Sequence, residues 1–213
     1  MRHHRLAGTT QDPDIDLVTA YPVSRRSLCR KLLRDVTGIS GLKRMVGLFL
    51  MDLGYLEYNV SGSAVRVDQT GRARASIART ALGNLHGVVL TNAVMFGVLF
   101  ALGHPALYLL WIGSYLTTFS VFVRVRSIAE HACTRMDADP LHNTRTTQAG
   151  WLARLTVAPH RVSYHLEHHL VMTAPHYSLP KIHRALAAKG ALRGAFVAKG
   201  YLEVLRLATS GPT

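Results

Sequence analysis

Two apolar runs with only two residues between them constrain this chain more than any other feature. Leu85 to Gly103 and Ala106 to Val123 contain no Asp, Glu, Lys or Arg, and Gly103-His104-Pro105 turns the chain between them. As helices rising about 1.5 Å per residue, each run comes close to spanning a hydrocarbon core of ~30 Å. Tyr108, Trp111 and Tyr115 add amphipathic aromatics to the second run. Arg72, Arg74 and Arg79 precede the pair, and Arg124 and Arg126 follow it. By the positive-inside rule both open ends, and with them both termini, face the cytoplasm. A pair of core helices in a soluble protein is the weaker reading, because such helices are usually shorter. His86 and Asn92 lie inside the first run, where a polar residue is a functional candidate by default. Helix packing or the interface is their expected role here.

Charge supports the same reading. Lysine and arginine number 25 against 12 aspartate and glutamate, a net charge of +13. That excess suggests an anionic partner, either nucleic acid or anionic lipid headgroups. Charges and apolar residues occupy separate segments, and no zinc-finger or RNA-binding signature accompanies them, so membrane is favoured over nucleic acid. Ser24 to Val36 reads as a basic amphipathic helix and Met45 to Tyr58 as a more apolar, interfacial one, with Gly38 and Gly41 breaking the chain between them. Residues 11–24 and 59–75 read as loops. Cys29 and Cys133 stand far apart and outside any C-x-x-C, so neither a disulfide framework nor a thiolate metal site is expected.

Eight of the twelve histidines fall between His131 and His183. At the centre is Tyr164-His165-Leu166-Glu167-His168-His169, an H-x-x-H-H cluster. On a helix, positions i, i+3 and i+4 share a face. Solvated surface histidines would be the better reading of one His or a pair, but three on one face make a metal half-site. Clustered imidazoles without thiolates suit iron, zinc, copper or nickel. Glu130-His131 and Glu167-His168 are adjacent, so the Glu-x-x-His repeat of soluble di-iron bundles is absent. A ligating imidazole needs an acceptor for its other N–H. Glu130, Glu167, Asp137 and Asp139 are the nearby candidates.

Four segments together resemble the C-terminal half of the integral-membrane fatty acid desaturases. They are residues 126–132 (Arg126 to Ala132), Thr144-Arg145-Thr146, residues 158–170 around the cluster, and residues 175–183 (Pro175 to His183). The resemblance implies an all-α integral membrane protein. One transmembrane hairpin, at about 85–103 and 106–123, would be joined to cytoplasmic and interfacial helices carrying histidine boxes, over 124–189. It implies a di-iron centre that uses O2 to remove hydrogen from an unactivated carbon of an acyl lipid or acyl thioester. Electrons would come from a ferredoxin- or cytochrome-type donor, since no flavin or NAD motif is present. His165, His168 and His169 match the third box, and His131 matches a ligand on the helix leaving the last span. His3-His4, followed by Arg5 and Asp12-Pro13-Asp14, resembles the tail of the second box. Glu130 and Glu167 would support the ligands. Ser127 stands where some acyl-CoA desaturases carry an asparagine. His160, His176 and His183 are expected in structural or headgroup roles. The resemblance does not reach a first box, so residues 1–213 are expected to be one N-terminally truncated domain, inactive by itself. A hydroxylase or carotenoid-modifying oxygenase of the same superfamily, and a non-enzymatic basic membrane protein, are the alternatives.

Overall fold

Helix-forming stretches dominate the computed structural model, which describes residues 2–58 and 64–211. The chain begins with the short helices α1 (Arg2–Leu6) and α2 (Asp16–Thr19), then α3 (Arg25–Val36) and α4 (Ile39–Asp52). A hairpin of β1 (Leu56–Tyr58) and β2 (Ala64–Arg66) follows, then α5 (Arg74–Ala101), α6 (Leu107–Leu116) and α7 (Thr118–His131). The last part holds α8 (Pro140–Asn143), β3 (Arg145–Thr147), α9 (Trp151–Leu155), α10 (His165–Leu170), α11 (Leu179–Ala188), β4 (Phe196–Ala198) and α12 (Tyr201–Ala208). Two compact units result: Leu32–Val121, and Met1–Lys31 together with Phe122–Thr213.

The first of these units is built on α5 and α6. Both α5 and the stretch from Leu107 to His131 are long and apolar enough to cross a membrane. α5 has 28 residues and is about 42 Å long. It starts well before Leu85 because Ala75, Ala78, Ala81 and Leu82 favour helix and nothing before the apolar run breaks it. The second run divides at Thr117, whose hydroxyl donates to the Gly113 carbonyl at 2.6 Å. Such back-bonding competes with the helix ladder. Apolar side chains face outward all round, with Val89 63%, Phe100 66% and Leu109 70% exposed. Asn92 has the packing role expected of it: its side-chain oxygen accepts the Tyr108 hydroxyl at 2.8 Å, tying α5 to α6.

α4 begins at Ile39, not Met45, because Gly41 does not break it. Gly41 is buried there, and a methyl group on it would overlap the backbone carbonyl of Leu116. Arg44 donates to the Tyr115 carbonyl at 3.0 Å and lies over the Phe119 ring at 4.7 Å. α4 also ends early, at Asp52. β1 and β2 then pair antiparallel, Leu56 against Arg66, where a loop was expected after Tyr58.

In the other unit the helix leaving the second run stops at His131, and Cys133 takes a left-handed backbone (φ 57). The Asp139 carboxylate caps α8, accepting the Leu141 N–H at 3.0 Å. β3 and β4 pair in parallel, Thr146 against Val197. The other edge of β3 is engaged too: Thr147 N–H donates to Ser163 O at 2.9 Å, and Thr146 bridges Tyr164. β3 thereby fixes the backbone that leads into α10. Neither strand was foreseen, since three residues are too few to display a period. The core is made of small and medium side chains: Ile128 and Ala129 of α7, Ala132 just beyond it, Leu166 of α10, Leu179 of α11, Ala198 of β4, and Val204 and Ala208 of α12.

Candidate metal centre

Six histidines from three helices meet in this unit: His3 and His4 of α1, His131 at the end of α7, and His165, His168 and His169 of α10. The Nε2 atoms of His165 and His131 stand 2.8 Å apart, those of His169 and His165 3.1 Å, and those of His3 and His131 3.2 Å. The ligand atoms of these four residues all lie within 4.8 Å of one another. His168 and His4 form a second group, Nε2 to Nε2 at 3.1 Å. The His169 ring is 4.7 Å from that of His4 and 5.2 Å from that of His131, so it borders both groups.

The outward nitrogens decide what the inward ones carry. His3 Nδ1 donates to the buried Asp12 carboxylate at 2.8 Å. His131 Nδ1 donates to the Asn143 carbonyl at 3.2 Å. A neutral imidazole that donates from Nδ1 has a lone pair on Nε2. His3 and His131 therefore aim lone pairs at each other with no proton to share, an arrangement that a cation relieves. Their acceptors also set tautomer and ring orientation as in known metal sites. His165 Nδ1 lies 3.7 Å from Glu130, whose carboxylate accepts Arg126 at 2.7 Å. The Nδ1 atoms of His4 and His169 are buried and have no hydrogen-bond partner among the described residues.

Burial keeps His4, His131, His165, His168 and His169 neutral. It holds the His165 imidazole well below its ordinary value of 6.5, helped by His131, His169 and His168. His169 is brought down to about 2, first by burial and then by the surrounding imidazoles. His4 and His168 are lowered as well, burial again leading. Neutral imidazoles are the ligating form, so the residues suit an N-ligated transition metal.

Residues 1–200 match the fatty acid desaturase family. The chain belongs to that family. Dihydrorhizobitoxine desaturase of Bradyrhizobium elkanii is 30% identical over 131 residues, which is 61% of this chain and 36% of the relative. The chain thus spans about a third of that relative's length. No solved structure matches it significantly. Desaturases of this family typically use iron, and the four-histidine group could hold a metal ion.

Set against this desaturase family, the carboxylates are distributed differently from expectation. Glu167 is fully buried, but its oxygens accept the Thr146 hydroxyl and His183 Nδ1, both at 2.6 Å. It clamps β3 and α11 to α10 and makes no hydrogen bond to a box imidazole. Asp137 pairs with His142 at 2.8 Å. The residue that supports a box histidine directly is Asp12, which sequence reasoning noted in Asp12-Pro13-Asp14 without giving it a role. Asn143 was missed altogether, because a backbone carbonyl leaves no sequence signal. His183 holds a buried carboxylate, a tie that only the fold brings about. His160 and His176 face each other at the surface, ring centroids 5.3 Å apart. His86 bonds to the carbonyl of Gly83 within α5.

Proposed function

We propose that this protein is an integral-membrane, O2-dependent desaturase of acyl chains. Its iron centre would be held by His3, His4, His131, His165, His168 and His169. The observation that carries this reading is the convergence of Nε2 lone pairs from α1, α7 and α10. Bound iron would supply the activation of dioxygen and the removal of two hydrogens from neighbouring carbons. The chain's own part is to orient and to exclude. Asp12 and the Asn143 carbonyl retain the Nδ1 protons of His3 and His131 and so keep the Nε2 atoms free. Burial of His131 and His169 excludes water from the centre. Desaturation is preferred to hydroxylation because the curated relative is named for desaturating dihydrorhizobitoxine. The outward apolar surfaces of α5 and α6 support insertion in a bilayer, with the arginines at both open ends on the cytoplasmic side. An acyl lipid or acyl thioester would be the substrate, and a ferredoxin- or cytochrome-type protein the electron donor.

Iron content per chain tests the centre. The full chain, loaded with ferrous iron in a membrane preparation, should retain iron after washing. His169→Ala should remove the most, since His169 borders both groups, and His168→Ala should remove less than His165→Ala. Iron no higher than in a triple alanine variant of the box would reject the assignment. Mass spectrometry of host lipids for a new double bond tests the reaction, with an added hydroxyl as the contrary outcome.

A further inference from the structure

The short helix α9 turns its apolar side chains away from the core of the histidine-bearing unit. None of its residues is buried. Trp151 and Leu155, one turn apart on the same face, are 73% and 74% exposed, and Leu152 beside them is exposed too. In a water-facing helix that stripe would turn inward. The backbone holds α9 in place instead: the N–H of the buried Ala158 donates to the Ala153 carbonyl at 2.7 Å. α9 packs on the turn Pro159–Arg161, and that turn packs on a second one, His176–Ser178, where Tyr177 is 70% exposed. Four large apolar or aromatic side chains therefore belong to one surface built from neighbouring elements, and a contiguous exposed patch marks an interaction site.

Its chemistry indicates the partner. Between Asp139 and Glu203 the sequence holds one acidic residue, Glu167. That carboxylate is fully buried against Thr146 and His183, so the surface of this stretch carries no negative side chain. Arg154 of α9, His160 and His176 are exposed beside the apolar residues. Tryptophan and tyrosine with basic residues and no carboxylates are the composition of the boundary between headgroups and acyl chains. A second observation is independent of composition. α7 is one helix from Thr118 to His131, so His131 lies about 12 Å beyond Val123, where the second apolar run ends. A unit tethered this closely to a bilayer meets the leaflet with part of its own surface.

We propose that α9 and the turn carrying Tyr177 insert into the cytoplasmic leaflet. Trp151, Leu152, Leu155 and Tyr177 would enter the headgroup and acyl boundary to a depth of about 5–10 Å. Arg154, His160 and His176 would meet the phosphates of the headgroups, which are anionic in that leaflet. The histidine-bearing unit then has a membrane contact of its own, in addition to the apolar runs. This contact rests on those runs being membrane spans, and it needs no iron.

Trp111 and Trp151 are the two tryptophans of the chain, so each can be left as the sole fluorophore. The full chain carrying Trp111→Phe reports on Trp151, and the full chain carrying Trp151→Phe reports on Trp111. Both are reconstituted in phosphatidylcholine and phosphatidylserine vesicles, with and without bromine on the acyl chains near the headgroup. Trp151 should emit to the blue of its position in denaturant, lose fluorescence to the brominated lipid and be shielded from acrylamide. Leu152→Asp with Leu155→Asp should abolish that quenching, and both side chains are exposed, so the core is left intact. Trp151 open to acrylamide and unquenched by bromine overturns the proposal. Trp151 shielded from acrylamide yet unquenched by bromine overturns it too, and indicates a protein covering the patch. Trp111 unquenched by bromine rejects the spanning hairpin instead, so the two failures are told apart.

Discussion

At the scale of single residues, the acceptors behind the imidazoles matter as much as the imidazoles. Asp12 is buried and holds His3 Nδ1 at 2.8 Å. Removing such an outer partner typically lowers metal affinity by about 10–100-fold. Asp12→Ala should show that loss in a competition against a chelator, and Asp12→Asn should show less, because its amide oxygen still accepts. Equal affinity in all three proteins would detach Asp12 from the site. Proton uptake gives a second prediction, for the metal-free protein. In the unfolded chain His165 and His169 titrate near 6.5, whereas in the folded chain they stay neutral far below it. Above pH 6.5 both states carry neutral rings, and these groups contribute no pH dependence. Below it the unfolded state binds more protons, so stability falls as pH falls, down to the folded values. The thermal midpoint of the chelator-treated protein should drop between pH 7.5 and about 5. An unchanged or rising midpoint would contradict a buried, neutral cluster.

At the scale of elements, α10 explains why one box serves two groups. A helix turns about 100° per residue, which puts His169 about 40° from His165 on one side and His168 about 60° on the other. His165 and His169 therefore face His131 and His3, while His168 faces His4. The position of α1 depends on Gly8, which follows it with a left-handed backbone (φ +75) against the Asp137 carbonyl. Asn143 fastens the same corner, donating from its side chain to the carbonyls of Ala7 and Asp137, each at 2.8 Å. Gly8→Ala carries the backbone penalty of about 1–2 kcal/mol and a steric overlap besides. It should displace His3 and His4 and cut iron binding, while leaving the far-ultraviolet helical signal nearly intact. Wild-type iron content in Gly8→Ala would mean that α1 is positioned by something else.

For the whole molecule, the largest constraint is the outward apolar surface of α5 and of α6. No residue of either helix is buried within the chain. In water that surface would be an association liability, whereas in lipid it is the expected exterior. Arginine brackets the pair at its open ends only, so the turn at His104 should lie across the membrane from both termini. Reporter fusions at His104 and at Thr213 should give opposite signals. A cytoplasmic signal from both would reject a spanning hairpin.

The sequence by itself determined the helical character, the two membrane-length runs and the six histidines, because each is a local or periodic pattern. Spacing alone put His165, His168 and His169 on one helix, and the apolar runs needed no tertiary information to be seen. Tertiary structure decided the rest. Whether His183 answers Glu167, whether Asp12 backs His3, and whether the Asn143 carbonyl orients His131 depend on contacts between residues 9 to 16 positions apart that no period encodes. The pairing of β3 with β4 joins residues some fifty positions apart through backbone hydrogen bonds, to which the side chains give no clue. Thr147 in sequence is one more threonine. Only burial left its hydroxyl without a hydrogen-bond partner among the described residues, because a polar group is informative when water has been taken from it.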